Sequence, residues 1–249
     1  MDDKYKKLHL EYKEKGFCVL KDVIDKTVLE SAYKEIIGST ETNIYKDRLN
    51  NLRRIENIFD KGDNLRLINK TFLDCLSKIF SEDFTLFKDK YNAKPSGGEG
   101  FFAHYDGIFT WVDKDGVERD GWHYYSDKFV NILVAIDAMT EKNGPLEIAI
   151  EHKGSFNDLL KNTKNNNTPD LRPEIEASLN FKKIFINPGD IVLFSSRCPH
   201  RSGRNSSLKD RRTIYYSYNP LSEGDHYLQY FKDKDASKNN TSKSLSGET

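Results

Sequence analysis

The sequence predicts a mainly β domain, a barrel or a sandwich of strands that is braced by helices from the amino-terminal third. In residues 23–36 and 65–80, apolar positions recur at three- and four-residue spacing, which is typical of helices. From residue 84 onwards the pattern changes to short runs rich in β-branched and aromatic residues, separated by loops with glycine and proline. The predicted strands are 84–91, 100–105, 129–136, 183–186, 191–194 and 211–218.

The length of 249 residues is enough to bury one substantial core, and β-barrels of about 200–250 residues commonly fold as one domain. We therefore predict a single domain over residues 1–234, with one further strand at 17–20 between the helices. Residues 235–249 are rich in lysine, serine and asparagine, which predicts a disordered tail. Two long polar insertions, 113–127 and 157–180, are candidate lids over a site or disordered loops.

The charge balance points to a small-molecule partner. Lysine and arginine total 39, as do aspartate and glutamate, so no general field draws the chain onto nucleic acid or an anionic membrane surface. A membrane span needs a run of about 18 apolar residues, and the sequence contains none. The amino terminus also lacks the apolar centre of a secretory signal. We expect a cytoplasmic protein, and the sequence does not predict its oligomeric state.

Three cysteines, Cys18, Cys75 and Cys198, are odd in number and far apart. They form no C-x-x-C pair, which argues against a disulfide framework and against a structural zinc cluster. We expect reduced thiols that pack in the interior.

A histidine and an aspartate, His104 and Asp106, stand two residues apart at the end of a predicted strand. Residues two apart on a strand face the same side, so the imidazole and the carboxylate emerge side by side. A second histidine, His200, follows the predicted strand 191–194. Two histidines and one carboxylate on one face of an octahedral metal leave three open positions, which suits iron(II) that must bind a bidentate keto acid and then O₂.

An arginine pair, Arg211-Arg212, opens the last predicted strand. A guanidinium group stays charged at any relevant pH and grips a carboxylate through two parallel hydrogen bonds. One of these arginines is therefore a candidate clamp for a carboxylate at the floor of the barrel.

Five elements follow one another along the chain in a fixed order: H-x-D on a strand, the loop 143–147 (NGPLE), the segment 188–194 (PGDIVLF), His200, and an arginine eleven residues later. A lone H-x-D occurs often by chance, so the order is what matters. Together with the stretch 16–20, these elements resemble the phytanoyl-CoA dioxygenase family of iron(II)/2-oxoglutarate oxygenases. The resemblance covers roughly residues 16–234.

This resemblance implies a double-stranded β-helix, the cupin-like jelly-roll barrel, with the metal at its mouth. It implies that His104, Asp106 and His200 are the catalytic iron ligands and that 2-oxoglutarate and O₂ are the co-substrates. Spacing from His200 favours Arg211 over Arg212 as the 2-oxoglutarate clamp, because a strand can direct only one of two neighbours inward.

Further residues fall at positions where the family lines the co-substrate pocket. Ser202 and Asn205 follow the second histidine, and Asn131 lies on the strand 129–136. The segment 86–95 resembles the family strand that precedes H-x-D and crosses the pocket. Its Lys90, Asn92 and Lys94 share one strand face and are candidate donors to 2-oxoglutarate or substrate, the alternative being a solvated edge face.

The implied reaction is hydroxylation of a C–H bond. The halogenating relatives carry a small residue at the position of Asp106, so the carboxylate favours hydroxylation. Segments 134–147 and 218–234 look most like the branch that oxidises 2-aminoethylphosphonate, which implies attack at the carbon next to phosphorus. The alternatives are a small zwitterionic solute such as ectoine, and a cupin-like metal-binding protein that is not an oxygenase. Candidate phosphonate-binding cations are Arg53, Arg54, Lys90, Lys94, Arg201 and Arg204.

Two further residues are open to two interpretations. Trp111 lies five residues past Asp106, where it is either an aromatic wall of the pocket or a core tryptophan. His123 lies in the first polar insertion, where it is either a surface residue or a contact to substrate.

Overall fold

Thirteen short strands carry the architecture in a computed structural model that describes residues 2–40, 43–47 and 50–245. Their bounds are β1 Phe17–Leu20, β2 Asn43–Lys46, β3 Leu52–Glu56, β4 Phe84–Lys94, β5 Phe101–His104, β6 Thr110–Val112, β7 Glu118–Asp120, β8 Val130–Ala135, β9 Leu146–Ile148, β10 Lys182–Ile184, β11 Ile191–Ser195, β12 His200–Ser202 and β13 Arg211–Pro220.

Eleven of these strands form two sheets that pack face to face, and β6 and β7 form a separate hairpin. The larger sheet has seven strands in the order β1-β11-β8-β13-β4-β3-β2, and the smaller one has four in the order β10-β9-β12-β5. Leu146 and Ile148 of the small sheet pack against Leu133 and Phe194 of the large one. This arrangement is the predicted jelly-roll barrel, and the prediction of the fold class is confirmed.

Helices cover the outer face of the large sheet. Leu65, Ile68 and Phe72 of the third helix share a core with Tyr91 and Tyr216 of the sheet. The helices are α1 Asp3–Lys15, α2 Lys26–Gly38, α3 Asp63–Phe80, α4 Phe156–Leu160, α5 Pro173–Ser178 and α6 Tyr227–Leu245, with a 3₁₀ turn at Leu221–Glu223.

Capping residues mark the start of α1 and of α2 and the end of α1. The carboxylates of Asp2 and Asp25 accept hydrogen bonds from backbone N–H groups in the first turns of α1 and α2, at 2.9 and 2.7 Å. Helix α1 ends at Gly16, whose φ of +82° is unfavourable for other residues. A side chain at Gly16 would also collide with Glu151 and Cys198. The glycine therefore lets β1 enter the sheet beside β11.

Strand β4 contains a bulge that affects the barrel interior. Ser217 pairs with Lys88, but the next residue of β13, Tyr218, pairs with Leu86, so Phe87 has no partner across the ladder. As a result Phe87 and Lys88 both approach the same aromatic group. The Phe87 ring lies 5.1 Å from Trp122, and the Lys88 ammonium lies 5.6 Å from the same indole.

The predicted strands are all present, with β4 and β13 longer than expected at the carboxyl end. The strands β2 and β3 were not predicted, because their residues are mostly polar and β4, which joins β3 to the sheet, lies far away in sequence. Neither long insertion is a plain loop: 113–127 includes β7, and 157–180 includes α5.

The carboxyl-terminal segment belongs to helix α6, which runs through residues 235–245 in the structure. Residues 246–249 of the predicted tail lie outside the described residues, and disorder of the tail in solution stays a prediction. The three cysteines are buried free thiols, as expected. Within the described ranges, no helix combines the length and the apolar character that a membrane span requires.

Replacing Phe87 by alanine tests the aromatic packing around the bulge. Its ring is fully buried against Trp122, Tyr125, Phe129 and Tyr230, so Phe87→Ala should lower the free energy of unfolding by about 3–5 kcal/mol. The matched control Phe102→Ala, at a side chain that is 73 % exposed, should change it by less than about 1 kcal/mol. Urea unfolding followed by circular dichroism measures both, and equal losses would contradict the packing described.

Candidate metal centre

Pairing between β5 and β12 brings the two histidines of the metal motif together. His104 and His200 are direct partners across the antiparallel ladder, and their ring centroids lie 4.2 Å apart. Asp106 follows β5 and is held by its backbone N–H, which donates to the Ser196 carbonyl at 3.0 Å. One ligand atom from each of the three side chains lies within 4.8 Å of the other two. The structure thus gathers the three predicted ligands into one cluster.

Backbone carbonyls determine which nitrogen of each histidine faces the cluster. The Nδ1 atom of His104 lies 2.7 Å from the Phe102 carbonyl, and Nδ1 of His200 lies 3.0 Å from the Cys198 carbonyl. A carbonyl only accepts, so each Nδ1 carries the proton and each Nε2 keeps a free lone pair. His200 Nε2 lies 3.5 Å from an oxygen of Asp106, which is the face that a metal would occupy.

The electrostatics keep these side chains in their metal-binding protonation states. Burial lowers the pKa of His200 and lowers that of His104 to about 3, so both imidazoles are neutral near pH 7. Burial acts to raise the pKa of Asp106, but the neighbouring His200 and Lys90 outweigh it and the pKa falls to about 2. Two neutral imidazoles and a carboxylate are the donor set that suits a divalent metal with open positions.

Asn131 supports the metal cluster from behind, and its place in the lining of the 2-oxoglutarate pocket stays a prediction. Its Nδ2 donates to an oxygen of Asp106 at 2.9 Å, while its Oδ1 accepts from Ser217 at 2.6 Å. Strand β8 places Asn131 directly opposite Ser217 on β13. The chain Ser217–Asn131–Asp106 orients the carboxylate from behind.

Polar residues of the large sheet face the histidines across a small cavity. His104, His200 and Ser202 of the small sheet line one side, and Arg54, Lys90, Asn92 and Tyr215 of the large sheet line the other. The predicted donors Lys90, Asn92 and Ser202 therefore lie beside the metal cluster. The Lys90 ammonium stands 4.9 Å from the centre of the Tyr215 ring, and burial lowers its pKa to about 7.

The arginine pair divides as the spacing predicts. Arg211 is buried, and its Nε and Nη1 atoms have no hydrogen-bond partner within the described residues. Arg212 points the other way, and its Nε and Nη2 atoms bind the two oxygens of Asp137 at 2.8 and 2.7 Å. Tyr215 and Ser217 share the inward face with Arg211 because residues two apart on β13 point to one side. Arg211 is thus a buried cation with unused donors.

Lys94 lies opposite Arg211 in the ladder and completes this floor. Its ammonium donates to the Ser202 hydroxyl at 2.7 Å and to the Gly203 carbonyl. Burial, with the charge of Arg211 beside it, lowers the Lys94 pKa to about 6. The floor therefore contains the buried guanidinium of Arg211 beside a buried lysine whose charged form is disfavoured, and within the described residues no carboxylate hydrogen-bonds either side chain.

A buried ionic cluster above the floor was missed by the sequence analysis. Glu56 is fully buried and pairs with Arg54 and Lys88, each at 3.6 Å, and with Lys234 of α6. Burial acts to raise the Glu56 pKa, but these three cations outweigh it and hold it far below its usual range. Lys88 had a local signal, since it precedes Lys90 by two residues on β4. Glu56 and Lys234 had none, because β3 and α6 reach the site only through tertiary packing.

Several predicted contacts lie elsewhere. Asn205 does not line the cavity. Its Nδ2 donates hydrogen bonds to the carbonyls of Lys94 and Lys209 at 2.9 and 2.8 Å and so stabilises the loop between β12 and β13. Arg201 lines the cavity but is paired with Glu147 and Glu176 at 2.8 and 2.7 Å, which engages its guanidinium.

Two surface arginines do not reach the cavity. Arg53 donates to the carbonyl of Glu99 at 2.8 Å, and Arg204 is exposed and donates to the carbonyl of Gly97 at 3.0 Å. Of the candidate phosphonate-binding cations, Arg54, Lys90 and Lys94 remain at the site.

The polar insertions surround the metal cluster from outside. The Tyr105 N–H donates to the Pro169 carbonyl at 3.1 Å, so the second insertion runs along the end of β5. In the first insertion, His123 stacks on Phe156 with ring centroids 5.6 Å apart and pairs with Asp127. Trp111 lines a separate aromatic cavity and not the space beside the histidines. Movement of either insertion as a lid stays a prediction.

The barrel and the His-Asp-His cluster together define a class of metal-dependent jelly-roll proteins. Residues 12–213 match the model of the family described as phytanoyl-CoA dioxygenase (PhyH). The chain belongs to the phytanoyl-CoA dioxygenase family, as the motif order predicted.

Two curated relatives share this family's sequence features with the chain. The 2-aminoethylphosphonate dioxygenase of uncultured bacterium HF130_AEPn_1 is 35% identical over 186 residues, which cover 74% of this chain and 64% of that protein. The methylphosphonate hydroxylase of Gimesia maris is 32% identical over 177 residues, covering 71% of this chain and 61% of that protein. The chain thus spans a little under two thirds of the length of these relatives.

Solved structures share the fold at low sequence identity. EctD from S. alaskensis, crystallised with 2-oxoglutarate and 5-hydroxyectoine, has a TM-score of 0.69 at 16% identity, covering 90% of this chain and 79% of that one. The epimerase SnoN in complex with Fe³⁺, α-ketoglutarate and nogalamycin RO has a TM-score of 0.66 at 15% identity, covering 88% and 84%. Both likenesses support the jelly-roll barrel.

Alanine substitutions test the metal cluster. His104→Ala and Asp106→Ala each remove one of three donors, so each should abolish stoichiometric binding of iron(II) under anaerobic conditions while the circular dichroism spectrum stays unchanged. His226→Ala is the matched control, because His226 bonds the Glu223 carbonyl away from the cluster and should leave binding intact. Metal content after gel filtration is the measurement, and full iron occupancy in either cluster variant would contradict the assignment.

Proposed function

We propose that the protein is an Fe(II)- and 2-oxoglutarate-dependent dioxygenase that hydroxylates a small phosphonate, such as 2-aminoethylphosphonate, at the carbon next to phosphorus. The observation that carries this proposal is the arrangement of buried basic side chains inside the barrel, which have no carboxylate partner within the described residues. Arg211 and Lys94 lie at the floor, and Lys90 lies beside the histidines. Buried basic groups in this arrangement favour two anionic ligands, one at the floor and one beside the histidines.

The residues of the metal cluster fit iron(II). His104 and His200 present free Nε2 atoms and Asp106 presents a carboxylate, while the cavity leaves the side toward Lys90 open. When bound, iron(II) with 2-oxoglutarate and O₂ supplies oxidative chemistry that converts the keto acid to succinate and hydroxylates a C–H bond. The chain's contribution is to hold the ligands in place and to orient Asp106 through Asn131.

The floor cations fit the far carboxylate of 2-oxoglutarate. Arg211 keeps its Nε and Nη1 donors unused, and its planar guanidinium can present two parallel N–H groups to a carboxylate. A bound carboxylate would favour the charged form of Lys94, and its partner Ser202 adds a hydroxyl at the cavity edge. A dicarboxylate held at the floor in this way would point its other end at the histidines.

The upper cations fit a dianionic substrate. Four of them, Arg54, Lys88, Lys90 and Lys234, lie within one network or beside it, and Glu56 is the carboxylate that pairs with three of them. The metal and Asp106 offset each other in part, so a surplus of positive charge remains for substrate. A phosphonate carries close to two negative charges on a compact group and suits this surplus better than a zwitterion does.

The relatives support the same substrate class, since the names of both curated relatives contain a phosphonate. The ectoine-like alternative has the structural likeness to EctD in its favour, but at 16% identity that likeness extends only to the fold. A cupin-like metal-binding protein without oxygenase activity would leave the buried, unpaired Arg211 without a role.

Replacing each arginine of the pair by lysine tests the co-substrate site. Arg211→Lys keeps the charge but loses the planar fork, so the affinity for 2-oxoglutarate should fall about 10–100-fold, as expected for a hydrogen-bonded charge pair worth roughly 1.5–3 kcal/mol. Arg212→Lys is the matched control and should leave that affinity unchanged, because Arg212 pairs with Asp137. Anaerobic titration of the iron-loaded protein measures both, and a larger loss in Arg212→Lys would reverse the assignment.

A comparison of substrate charge tests the substrate class. Incubation with iron(II), 2-oxoglutarate and O₂ should yield succinate and a product one oxygen heavier from 2-aminoethylphosphonate. The sulfonate analogue taurine has nearly the same shape with one charge fewer, so it should react at least about tenfold less efficiently. Mass spectrometry of product and succinate is the measurement. Hydroxylation of ectoine together with inert phosphonates would overturn the proposed substrate and leave the oxygenase class standing.

A further inference from the structure

An aromatic cavity opens on the side of the ionic cluster that faces away from the floor. Its volume is about 280 Å³, compared with about 30 Å³ for the space beside His104 and His200. Five aromatic residues form most of its wall, and Asp233 and Lys234 of α6 lie at its rim. The aromatic residues are Phe109, Trp111, Trp122, Tyr125 and Tyr230.

This cavity lies next to the metal site. Trp122 lines it and also lines a small space that contains Asp106. The Lys88 ammonium stands 5.6 and 5.5 Å from the ring centres of Trp122 and Tyr230. One layer of side chains therefore separates the aromatic cavity from the metal cluster.

The separating layer is the ionic cluster around Glu56. On one side Glu56 pairs with Arg54, which lines the space beside the histidines. On the other side it pairs with Lys234, which lines the aromatic cavity. Lysine side chains are long and adjust easily, so an anionic group that replaced Glu56 as their partner would sit between the two spaces. The carbon next to that group would lie in the small space that Asp106 and Trp122 line, and the far end of the molecule would extend past Trp122 into the aromatic cavity.

The chemistry of the cavity favours a positively charged group. Aromatic faces attract cations, and such an attraction is strongest for indole rings. Asp233 adds a carboxylate whose hydrogen bonds come from neutral donors, the Tyr125 hydroxyl and the Gln229 amide, each at 2.8 Å. In the part of the chain that the structure describes, Asp233 forms no ion pair, and the neighbouring Lys234 is engaged by Glu56.

We infer that the aromatic cavity binds the cationic end of the substrate, an N-alkylated ammonium group whose tether carries the phosphonate to the Glu56 cluster. This inference rests on the proposed function for the anionic end. The volume of the aromatic cavity exceeds that of a primary ammonium group. Alkyl groups on the nitrogen would fill more of the cavity and contact its aromatic rings. The substrate class is therefore an ammonioalkylphosphonate with methyl groups on nitrogen, and methylphosphonate is too short to use the cavity.

A set of four phosphonates tests this inference. The chain contains two tryptophans, Trp111 and Trp122, and both line the cavity, so intrinsic fluorescence reports its occupancy without any turnover. The probes are methylphosphonate, 2-aminoethylphosphonate, 2-(trimethylammonio)ethylphosphonate and 3,3-dimethylbutylphosphonate. The last two have the same shape and differ in the charge of the terminal group. Choline serves as a cationic probe without a phosphonate.

The trimethylammonio compound should bind the iron- and 2-oxoglutarate-loaded protein about tenfold more tightly than its neutral isostere, and kcat/KM should follow the same order. Asp233→Asn should remove most of that tenfold preference while leaving affinity for the neutral isostere unchanged. Asp235→Asn is the matched control, because Asp235 is an exposed residue of the same helix that does not line the cavity, and it should keep the preference.

The outcomes separate this inference from the proposed function. If the isostere binds and reacts as well as the cation, or if methylphosphonate has the highest kcat/KM, the cavity assignment is overturned while phosphonate hydroxylation stands. If no phosphonate reacts but choline changes the tryptophan fluorescence and Asp233→Asn abolishes the change, the proposed substrate fails and the cation site stands. If neither the cation nor choline alters the fluorescence, the inference is wrong whatever the enzyme oxidises.

Discussion

The antiparallel pairing of β5 with β12 is the constraint on which the rest of the site depends. It sets His104 directly opposite His200, and the Nδ1 bonds to the carbonyls of Phe102 and Cys198 then turn both Nε2 atoms to one side. The pairing is short, so it relies on the sheet behind it. The core between the two sheets and the helices outside the large sheet supply that support.

The large sheet supplies the basic side chains of the site, and the small sheet supplies the two histidines of the metal cluster. Its inward positions carry Arg211, Lys94 and Lys90, which burial and mutual repulsion destabilise while no anion is bound. The protein therefore keeps these cations at a cost to its own stability. Anions that bind the folded state alone would stabilise it by mass action. Ligand binding and folding stability are linked through the same few side chains.

The sequence predicted the parts of the site that depend on local order. His104, Asp106, His200 and Arg211 follow from strand alternation and from their order along the chain, and the structure brings them together or turns them inward. The hydrogen bond of Asn131 to Asp106 was not predicted, because alternation gives the face of a strand but not the neighbour across the interior.

Glu56, Lys234 and the aromatic cavity could not be predicted for a related reason. They come from a short polar strand and a terminal helix that reach the barrel only through tertiary contacts. Likewise, the strands β2 and β3 lack an apolar pattern, since they pair at the edge of the large sheet.

Because Phe87 has no partner across the ladder, the residues of β4 that face the barrel interior differ in alternation before and after it. Before Phe87, even-numbered residues such as Leu86 pack into the core under the helices. After it, even-numbered residues such as Lys88 and Lys90 point into the barrel. A chain without Phe87 would keep its other strands, but the alternation on one side of the bulge would be inverted. Either the lysines of β4 would turn out of the barrel, or the aromatic packing around the bulge would be lost. Insertions and deletions at this point are therefore far more damaging than substitutions, and the length of β4 should vary among active relatives only in steps that preserve the alternation on both sides.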